Sequence, residues 1–305
     1  MHPLKIKIEQ FRQALDIDGG ALKLCAAALA VRLSRVPIPS KRLRLRVFRT
    51  IYGKKYTALD EKELEQPLWA YRSFHALFTR GVRPELRPIA QNRGAWLCPC
   101  DGRVQDIGTI QHGHVLNVKE IAYDLRSVLA LATPEAYQGG HFAILFLSPA
   151  DCHRVFSPQS GWIEEITHVP GYRMLVHPPY QRKEFPVLTL NERVILRLRT
   201  ALGSCTLVLV AGWGVGNITL PRLPSFKPRS RQLVRMRVDP PLLVERGDWI
   251  ATFELGSTAL LITEPAEHQA VCVNRDDKVR YGQPLFSLRP GSACKEGPDR
   301  WLRQL

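Results

Sequence analysis

A glycine and a serine, Gly256 and Ser257, follow the apolar run that ends at Phe253. Glycine has no Cβ, so the Gly256 carbonyl can be approached closely and its backbone can adopt conformations that other residues avoid. The Ser257 hydroxyl could attack that carbonyl and replace the peptide bond by an ester. β-Elimination would then leave dehydroalanine at residue 257, which hydrolyses to a pyruvoyl group with loss of ammonia. The same pair also suits an ordinary turn after a strand, so other segments must decide.

The segment LGST at residues 255–258 resembles the processing site of the phosphatidylserine decarboxylase proenzyme family. Further segments resemble that family in the same order along the chain, and together they cover roughly residues 40–290. These segments are CPCDG at 98–102, LSPADCHRVFSP at 147–158, HVPG at 168–171, NERV at 191–194, a glycine-containing strand over 208–218 and the lead-in at 245–253.

The resemblance implies a chain that cuts itself between Gly256 and Ser257 into a large chain, 1–256, and a small chain, 257–305. Ser257 would be the nucleophile and the precursor of the pyruvoyl cofactor, and Asp101 the carboxylate that holds an imidazole. A pyruvoyl group accepts the electrons released when an amine substrate loses carbon dioxide. The implied reaction converts phosphatidylserine to phosphatidylethanolamine. We expect the two chains to remain associated because strands on either side of the cut share a sheet.

One position departs from the family pattern HisArgxHis, in which the second histidine is the one assigned to the triad. Here His153, Arg154 and Val155 are followed by Phe156, and a phenyl ring cannot accept a proton. Either His153 is the base, or His168 or His177 reaches the site, or processing is slow or lost and the chain is an unprocessed relative that binds anionic phospholipid. We favour His153, which also matches the family histidine thought to assist decarboxylation.

Simpler structural roles compete with these assignments. His153 would also suit a satisfied polar residue at a strand end, and Asp101 before Gly102 would suit a turn. Cys98, Cys100, His112 and His114 offer thiolate and imidazole groups of the kind that bind zinc. Their spacing is not a standard one, and alternate residues of a strand face the same side in any case. We therefore predict no metal site.

The elements that would position these residues fall into two parts. From residue 4 to about residue 88 the apolar residues recur at helical spacing, with Asp60 and Ser73 as caps and Pro37 and Pro39 as an interruption. From Gly94 onward, short apolar runs alternate with turn residues, which predicts strands. The prediction is an α+β fold, with a helical, basic, membrane-associating region over 1–90 and a β-rich decarboxylase domain over 91–305. Strands are expected at 141–147, 194–198 and 206–211, and a helix at 118–132.

Charge and composition indicate an anionic partner. The net charge is +15, and residues 1–50 hold eleven Lys or Arg against three acidic residues. The segment KRLRLRVFR at 41–49 places apolar and cationic side chains together, which suits a phospholipid surface but also a solvated helix or an edge strand. Nucleic acid is disfavoured because few aromatic residues accompany the basic run and no nucleic-acid-binding module is recognised.

The expected location is peripheral, on the cytoplasmic face of a bacterial-type inner membrane. The apolar run at 21–33 is too short to cross a bilayer, which takes about 20 apolar residues. Seven cysteines without a framework spacing favour a reducing compartment. The expected partners are the phospholipid substrate, the membrane surface and the two chains of one precursor, and a homodimer is left open.

Overall fold

The structure is a computed structural model of the chain. It describes residues 29, 31–53, 58–110, 115–118, 121–131, 134–173, 176, 186–212, 217–226, 231–254, 257–266 and 269–288. Within these ranges no helix combines the length and the apolarity needed to cross a bilayer. Most of the apolar run at 21–33 and all of the histidine pair at 112 and 114 lie outside them.

The N-terminal part contains helix α1 (Lys41–Tyr52), helix α2 (Phe74–Phe78) and 3-10 helices at Glu61–Glu63, Leu68–Ala70 and Pro84–Leu86. Asp60 and Ser73 accept backbone N–H bonds at the starts of two of these helices, as the sequence predicted. The segment KRLRLRVFR is therefore helical and not an edge strand. Its helix buries Phe48 and Tyr52 in a small core of its own, together with Leu64, Leu68, Tyr71 and Leu77.

The rest of the described chain is mostly β-structure, as predicted. Its strands are β1 (Ala95–Leu97), β2 (Gly102–Thr109), β3 (Val115–Val118), β4 (Ile121–Asp124), β5 (His141–Leu147), β6 (Arg154–Phe156), β7 (Gly161–Val169), β8 (Arg193–Thr200), β9 (Gly203–Ala211), β10 (Ile218–Thr219), β11 (Val234–Val244), β12 (Trp249–Phe253), β13 (Ser257–Thr263), β14 (Ala270–Val271), β15 (Lys278–Val279) and β16 (Pro284–Ser287). Short helices α3 (Leu125–Leu129) and α4 (Val187–Leu190) and a 3-10 helix at Glu135–Tyr137 interrupt them.

One eight-stranded antiparallel sheet, in the order β11-β7-β8-β9-β13-β5-β2-β15, forms the centre of the fold. Two three-stranded sheets, β1-β16-β14 and β10-β12-β6, and the hairpin β3-β4 complete it. Strand β13 is buried along its whole length because Ala259 and Leu261 pack into one apolar cluster while Leu260 and Ile262 pack into another. A strand covered on both faces reads as a continuous apolar run, which is how this segment appears in the sequence.

The structure corrects three sequence predictions about elements. The helix predicted over 118–132 is wrong: β3 pairs with β4, and within the described part of that range only Leu125–Leu129 is helical. Burial in β4 alternates, with Ile121 and Tyr123 inside, which is the period of a strand. The segment 208–218 is not one strand, since β9 ends at Ala211 and β10 begins at Ile218.

The third correction concerns the strands that flank Ser257. Strand β12 lies in the sheet β10-β12-β6, whereas β13 lies in the eight-stranded sheet, so the two do not share a sheet. Instead, β13 is paired on both sides, with β9 and with β5. Among the described cysteines, Cys98, Cys100, Cys152 and Cys205 are free and Cys272 is disulfide-bonded.

Candidate active site

Ser257 is the first residue of β13, at one end of the central strand. It lies opposite Leu147 of β5 on one side and Ala211 of β9 on the other. The residue is fully buried, and its Oγ has no hydrogen-bond partner in the described part of the chain. A buried hydroxyl without a partner costs about 1–3 kcal/mol, so its presence calls for an explanation. Leu255 and Gly256 lie outside the described residues.

Asp101 directly precedes β2, at the same end of the sheet. Strand β5 lies between β2 and β13, and since neighbouring strands are about 4.8 Å apart, β2 and β13 are separated by about 10 Å. Gly102 makes the close approach of β2 to β5 possible, because a Cβ there would lie 2.5 Å from the Phe146 carbonyl oxygen. Ser257 Oγ has no partner in the described part of the chain, so Asp101 makes no direct hydrogen bond to it there.

Arg87 holds the Asp101 carboxylate. Its Nε–H donates to both carboxylate oxygens at 3.1 Å, and Nη2 donates to Oδ2 at 2.7 Å. Both side chains are almost completely buried. Burial opposes the charge of Arg87, but the bonds and charges of Asp101 and Glu63 outweigh it and raise the pKa of the guanidinium. The pair is therefore a buried ion pair with matched charges.

Glu63 extends this ion pair towards the surface. It accepts from Arg87 Nη2 at 2.8 Å and from Arg280 Nη2 at 3.0 Å. Burial alone would raise the pKa of Glu63, but the bond from Arg87 and the charges of Arg87 and Arg280 lower it overall. A small cavity of about 160 Å³ is lined by these groups and by Asp101. The Asp101 carboxylate thus belongs to a network of four side chains with alternating charge, namely Asp101, Arg87, Glu63 and Arg280.

Phe156 stands where the family pattern has its triad histidine. Its ring stacks on the Tyr281 ring, with centroids 3.8 Å apart and an interplanar angle of 17°. The backbone N–H of Tyr281 in turn donates to Asp101 Oδ1 at 3.0 Å. Tyr281 therefore links position 156 to Asp101, through its ring on one side and its backbone N–H on the other. Phe156 itself offers no nitrogen or oxygen that could accept a proton at this position.

His153 is buried, 1% exposed, with its ring centroid 3.8 Å from that of Phe78. Its Nδ1 lies 3.0 Å from the Asp151 carbonyl oxygen, which can only accept, so Nδ1 carries the proton. Nε2 is left with a lone pair and has no partner in the described ranges. Burial, reinforced by the charge of Arg80, lowers the pKa of His153 to about 3. The imidazole is therefore neutral, with one nitrogen free to accept a proton.

The backbone of His153 is tied to the strand that leads to Ser257. Its carbonyl accepts the Phe253 N–H at 2.9 Å, at the last residue of β12. His168 is placed differently, on β7, which β8 and β9 separate from β13. Its Nε2 is bonded to Glu192 Oε1 at 3.0 Å. His177 lies outside the described residues.

The HVPG and NERV segments form one unit beside Ser257. A Cβ on Gly171 would overlap the backbone at Leu190, and the Glu192 N–H donates to the Tyr172 carbonyl at 2.7 Å. Asn191 Nδ2 donates to the carbonyl of Ala211, the residue opposite Ser257. The NERV segment is therefore hydrogen-bonded to the end of β9, the strand that pairs with β13 at Ser257.

The cysteines of the CPCDG segment do not form a metal site with other described residues. Cys98 Sγ donates to the Cys100 carbonyl at 3.0 Å, and burial raises the pKa of both thiols. Within the described ranges, no group of three or more His, Cys, Asp or Glu side chains is arranged to hold a metal ion.

Sequence reasoning did not find Arg87, Glu63 or Tyr281. Arg87 precedes Asp101 by 14 residues and Arg280 follows Glu63 by 217, so no local spacing relates them. The only available signal was general: a buried carboxylate requires a counter-charge.

A larger cavity, of about 570 Å³, opens beside the segment that leads to Ser257. Its walls come from α2, from residues 65–72 and from strands β6 and β12. Glu254, the last described residue before Ser257, lines it, and Glu254 is paired with His75 and Arg35. Burial would raise the pKa of Glu254, but the nearby His75 and Asn217 side chains and the charge of Arg35 lower it.

Comparison with known proteins gives one consistent result. Residues 74–287 match the family model described as phosphatidylserine decarboxylase. The chain is 33% identical over 247 residues to the phosphatidylserine decarboxylase proenzyme of Pseudomonas putida strain F1, covering 78% of this chain and 85% of that protein. The protein of the same name from Pseudomonas entomophila strain L48 is 34% identical over the same shares. That from Pseudomonas aeruginosa strain LESB58 is 34% identical over 71% of this chain and 77% of its own length.

Proposed function

The chain belongs to the phosphatidylserine decarboxylase family, and we propose that it converts phosphatidylserine to phosphatidylethanolamine with a pyruvoyl group made from its own Ser257. It is a decarboxylase by family. The observation that carries the finer proposal is the Ser257 hydroxyl, which is fully buried and has no partner among the described residues. It starts the strand that follows the Gly256 to Ser257 bond, where the sequence resembles the family's processing site.

In the proposed self-cleavage, His153 Nε2 accepts the Ser257 hydroxyl proton while Oγ attacks the Gly256 carbonyl carbon. The bond from that carbon to the nitrogen of residue 257 breaks, the nitrogen takes up a proton, and an ester joins the two residues. Removal of the α-proton of residue 257 then expels the Gly256 carboxylate. Water hydrolyses the resulting dehydroalanine and releases ammonia. Support comes from the neutral His153 ring and its free Nε2.

Asp101 keeps its proposed place as the carboxylate of the site, but it acts through other partners. Its oxygens are bonded to Arg87 and to the Tyr281 backbone, and Phe156 supplies no imidazole. We propose that Asp101 stabilises the turn that presents Tyr281 and the end of β2, and that its charge is balanced by Arg87. Under this proposal His153 is the only base of the self-cleavage step. When formed, the pyruvoyl group supplies the electron sink for loss of carbon dioxide.

Membrane docking is proposed for the region over 1–90, on the anionic cytoplasmic face, with the β-rich domain over 91–305 as the catalytic part. Helix α1 exposes Leu43 and Ile51 among its cations, and Lys41 lies over the exposed Trp69 ring at 4.4 Å. Apolar and cationic side chains on one surface suit lipid headgroups, and tryptophan favours the membrane interface. The net charge of +15 acts in the same direction.

A second candidate function is an unprocessed relative that binds anionic phospholipid. The observation that favours it is the Phe156 to Tyr281 stack, which occupies the triad position. Both candidate functions involve binding a phospholipid at a membrane surface. They differ in whether the chain is cut.

Intact-mass spectrometry of the purified protein tests the choice. The proposed function predicts a large chain of residues 1–256 and a small chain of residues 257–305 that begins with a ketone and lacks an amino terminus. A Ser257→Ala variant should remain one chain and should release no carbon dioxide from phosphatidylserine. A wild-type chain that stays at full mass would exclude the proposed function and leave the second candidate, and a small chain with an ordinary amino terminus would exclude the pyruvoyl group.

A further inference from the structure

The cavity of about 570 Å³ beside the cleavage segment has an excess of positive charge. Its lining carries Arg72, Arg80 and Arg154 against the carboxylates Glu65 and Glu254. Glu254 is already neutralised by Arg35, which pairs with it from outside the lining. We propose that this cavity binds the phosphodiester of the lipid headgroup, with Arg154 as its main contact. The inference rests on the proposed function for the identity of the lipid.

Arg154 is held in a form that suits a phosphodiester. Its guanidinium lies over the Trp249 ring, 4.1 Å from the centroid, and Nη2 donates to Glu65 Oε2 at 3.1 Å. No other hydrogen bond ties the guanidinium to the described part of the chain. Stacking fixes the plane of the guanidinium without using its N–H donors. A planar fork with free donors binds phosphate oxygens in pairs.

Arg80 supplies a charge that a ligand can balance. It is 3% exposed and donates to the backbone carbonyls of Leu77 and Ala150. Within the described residues no carboxylate pairs with it, although its charge is strong enough to help lower the pKa of His153. A buried cation without a counter-ion is unfavourable. An anion in the cavity would remove that penalty.

The chemistry of the reaction favours the phosphodiester, and not the substrate carboxylate, as the anion that the cavity arginines bind. A carboxylate paired with arginine is stabilised in the ground state, and that stabilisation is lost as carbon dioxide departs, so the pairing would slow the reaction. The phosphodiester keeps its charge throughout. Its binding energy therefore anchors the substrate without opposing the chemical step.

The cavity also lies on the route from the proposed docking region. Ala70 and Tyr71 line it, and they follow Trp69 in the segment against which α1 packs. Trp249, which also lines the cavity, is 38% exposed. Tryptophan side chains at the rim suit the boundary between lipid and water. A headgroup that leaves the membrane at α1 would therefore meet Arg154 in a cavity that Glu254, three residues before Ser257, also lines.

The test uses full-length Ser257→Ala protein, in which no chemistry follows binding, and titrates it with glycerophosphoserine and with inorganic phosphate by calorimetry. Adding Arg154→Gln should weaken glycerophosphoserine binding at least about tenfold, the usual scale for loss of a charge-assisted bond. Arg199→Gln is the matched control, because Arg199 also lies over a tryptophan, Trp162 at 5.0 Å, and pairs with Glu164, but outside the cavity. It should leave binding unchanged.

Gly81→Ala is a second variant that keeps every charge. A Cβ at Gly81 would overlap Arg154 Nη1 and Glu65 Oε2, so it displaces the guanidinium and should also weaken binding. Unchanged glycerophosphoserine binding in folded Arg154→Gln and Gly81→Ala proteins would overturn the inference. So would inorganic phosphate binding as tightly as glycerophosphoserine, because the site would then recognise free phosphate.

The cut wild-type background separates this inference from the proposed function. There, Arg154→Gln should raise KM for phosphatidylserine and leave kcat within about threefold, because uniform binding is lost. If the wild-type chain is never cut, the proposed function is wrong, and the calorimetric binding result alone decides the inference. If the wild type is cut and active but Arg154→Gln leaves KM unchanged, only the inference is wrong.

Discussion

Arg87 donates to both oxygens of Asp101, and the Nη2 group that makes the 2.7 Å bond to Oδ2 also bonds Glu63 at 2.8 Å. One guanidinium thus links two carboxylates that lie 38 positions apart in the chain. The carboxylate expected to serve an imidazole is committed to an arginine instead. Its orientation cannot change without breaking that ion pair.

Arg87→Gln should destabilise the protein by about 3–5 kcal/mol, because it leaves the buried Asp101 carboxylate without a counter-charge. Chemical denaturation of the Ser257→Ala background measures this without interference from the cut. Arg199→Gln removes a comparable but exposed pair with Glu164 and should cost less than about 1 kcal/mol. Equal effects in the two variants would mean that the Arg87 pair contributes no more than a surface pair.

Phe156→His should change the rate of self-cleavage by less than about threefold, since the Asp101 oxygens are already occupied and His153 is the proposed base. The rate is measured by the appearance of the small chain after synthesis. Phe156→Leu, which removes the stack on Tyr281 and adds no imidazole, is the control for packing. A much faster cut in the histidine variant alone would show that the missing imidazole limits the wild type.

His153→Gln should slow self-cleavage by about 10²–10⁴-fold, the usual contribution of a general base. Gln cannot take a proton, yet it retains polarity at the same place. His141→Gln is the control, because His141 begins β5 at the end opposite Leu147 and so lies far from Ser257. A cut at the normal rate in folded His153→Gln protein would exclude His153 as the base.

The stability of the protein should fall as the pH drops below about 6.5, by about 1.4 kcal/mol per unit while His153 dominates. The pKa of His153 is lowered from the usual 6.5 to about 3 in the folded state, mainly by burial. Between these values the unfolded chain binds a proton that the folded chain does not, so stability is full above 6.5 and is lost towards 3. Folded His153→Gln protein should show a shallower slope between pH 6.5 and 5, as measured by denaturant unfolding, and His141, whose pKa burial also lowers, should contribute to the slope that remains.

Gly102→Ala should destabilise the fold by about 1–3 kcal/mol, because its Cβ would meet backbone and not a movable side chain. The Phe146 carbonyl oxygen would be 2.5 Å away. Gly108 lies on the same strand, and a Cβ there meets only the Phe142 ring, at 3.4 Å. Gly108→Ala should therefore change the free energy of unfolding by less than about 0.5 kcal/mol. Similar losses at the two positions would contradict the close approach of β2 to β5.

The parts of the fold that follow from local pattern were predictable. The strands at β5, β8 and β9 read as apolar runs between turns, and Asp60 and Ser73 were recognisable as caps. The hairpin before α3 was mistaken for a helix because its apolar residues also fit a helical period over so short a stretch. Local pattern also could not show that β12 and β13 belong to different sheets, since sheet membership depends on distant partners.

The candidate site was predictable only where a motif carried it. Ser257 and Asp101 were found by resemblance, and the structure places them two strands apart at one end of the sheet. Phe156 was recognised as a departure, but its stack on Tyr281 was not foreseen. The ion pairs of Arg87 and Arg280 join segments whose separation no spacing rule covers. The charge balance of a buried site depends on which distant residues the fold brings together. It can therefore be determined from the structure but not from local sequence spacing.

Strand β13 lies between β9 and β5, so the proposed cut places it in a different chain from both of these neighbours. The cut therefore changes how many molecules the protein unfolds into. The precursor unfolds into one molecule, whereas the cut protein unfolds into two, so dilution favours its unfolded state as it does for any complex. Identical folded contacts would then give a melting temperature that depends on protein concentration only after processing. Recovery would require a short peptide to find the gap between two strands that have lost their shared neighbour, so heat inactivation of the mature form should be irreversible.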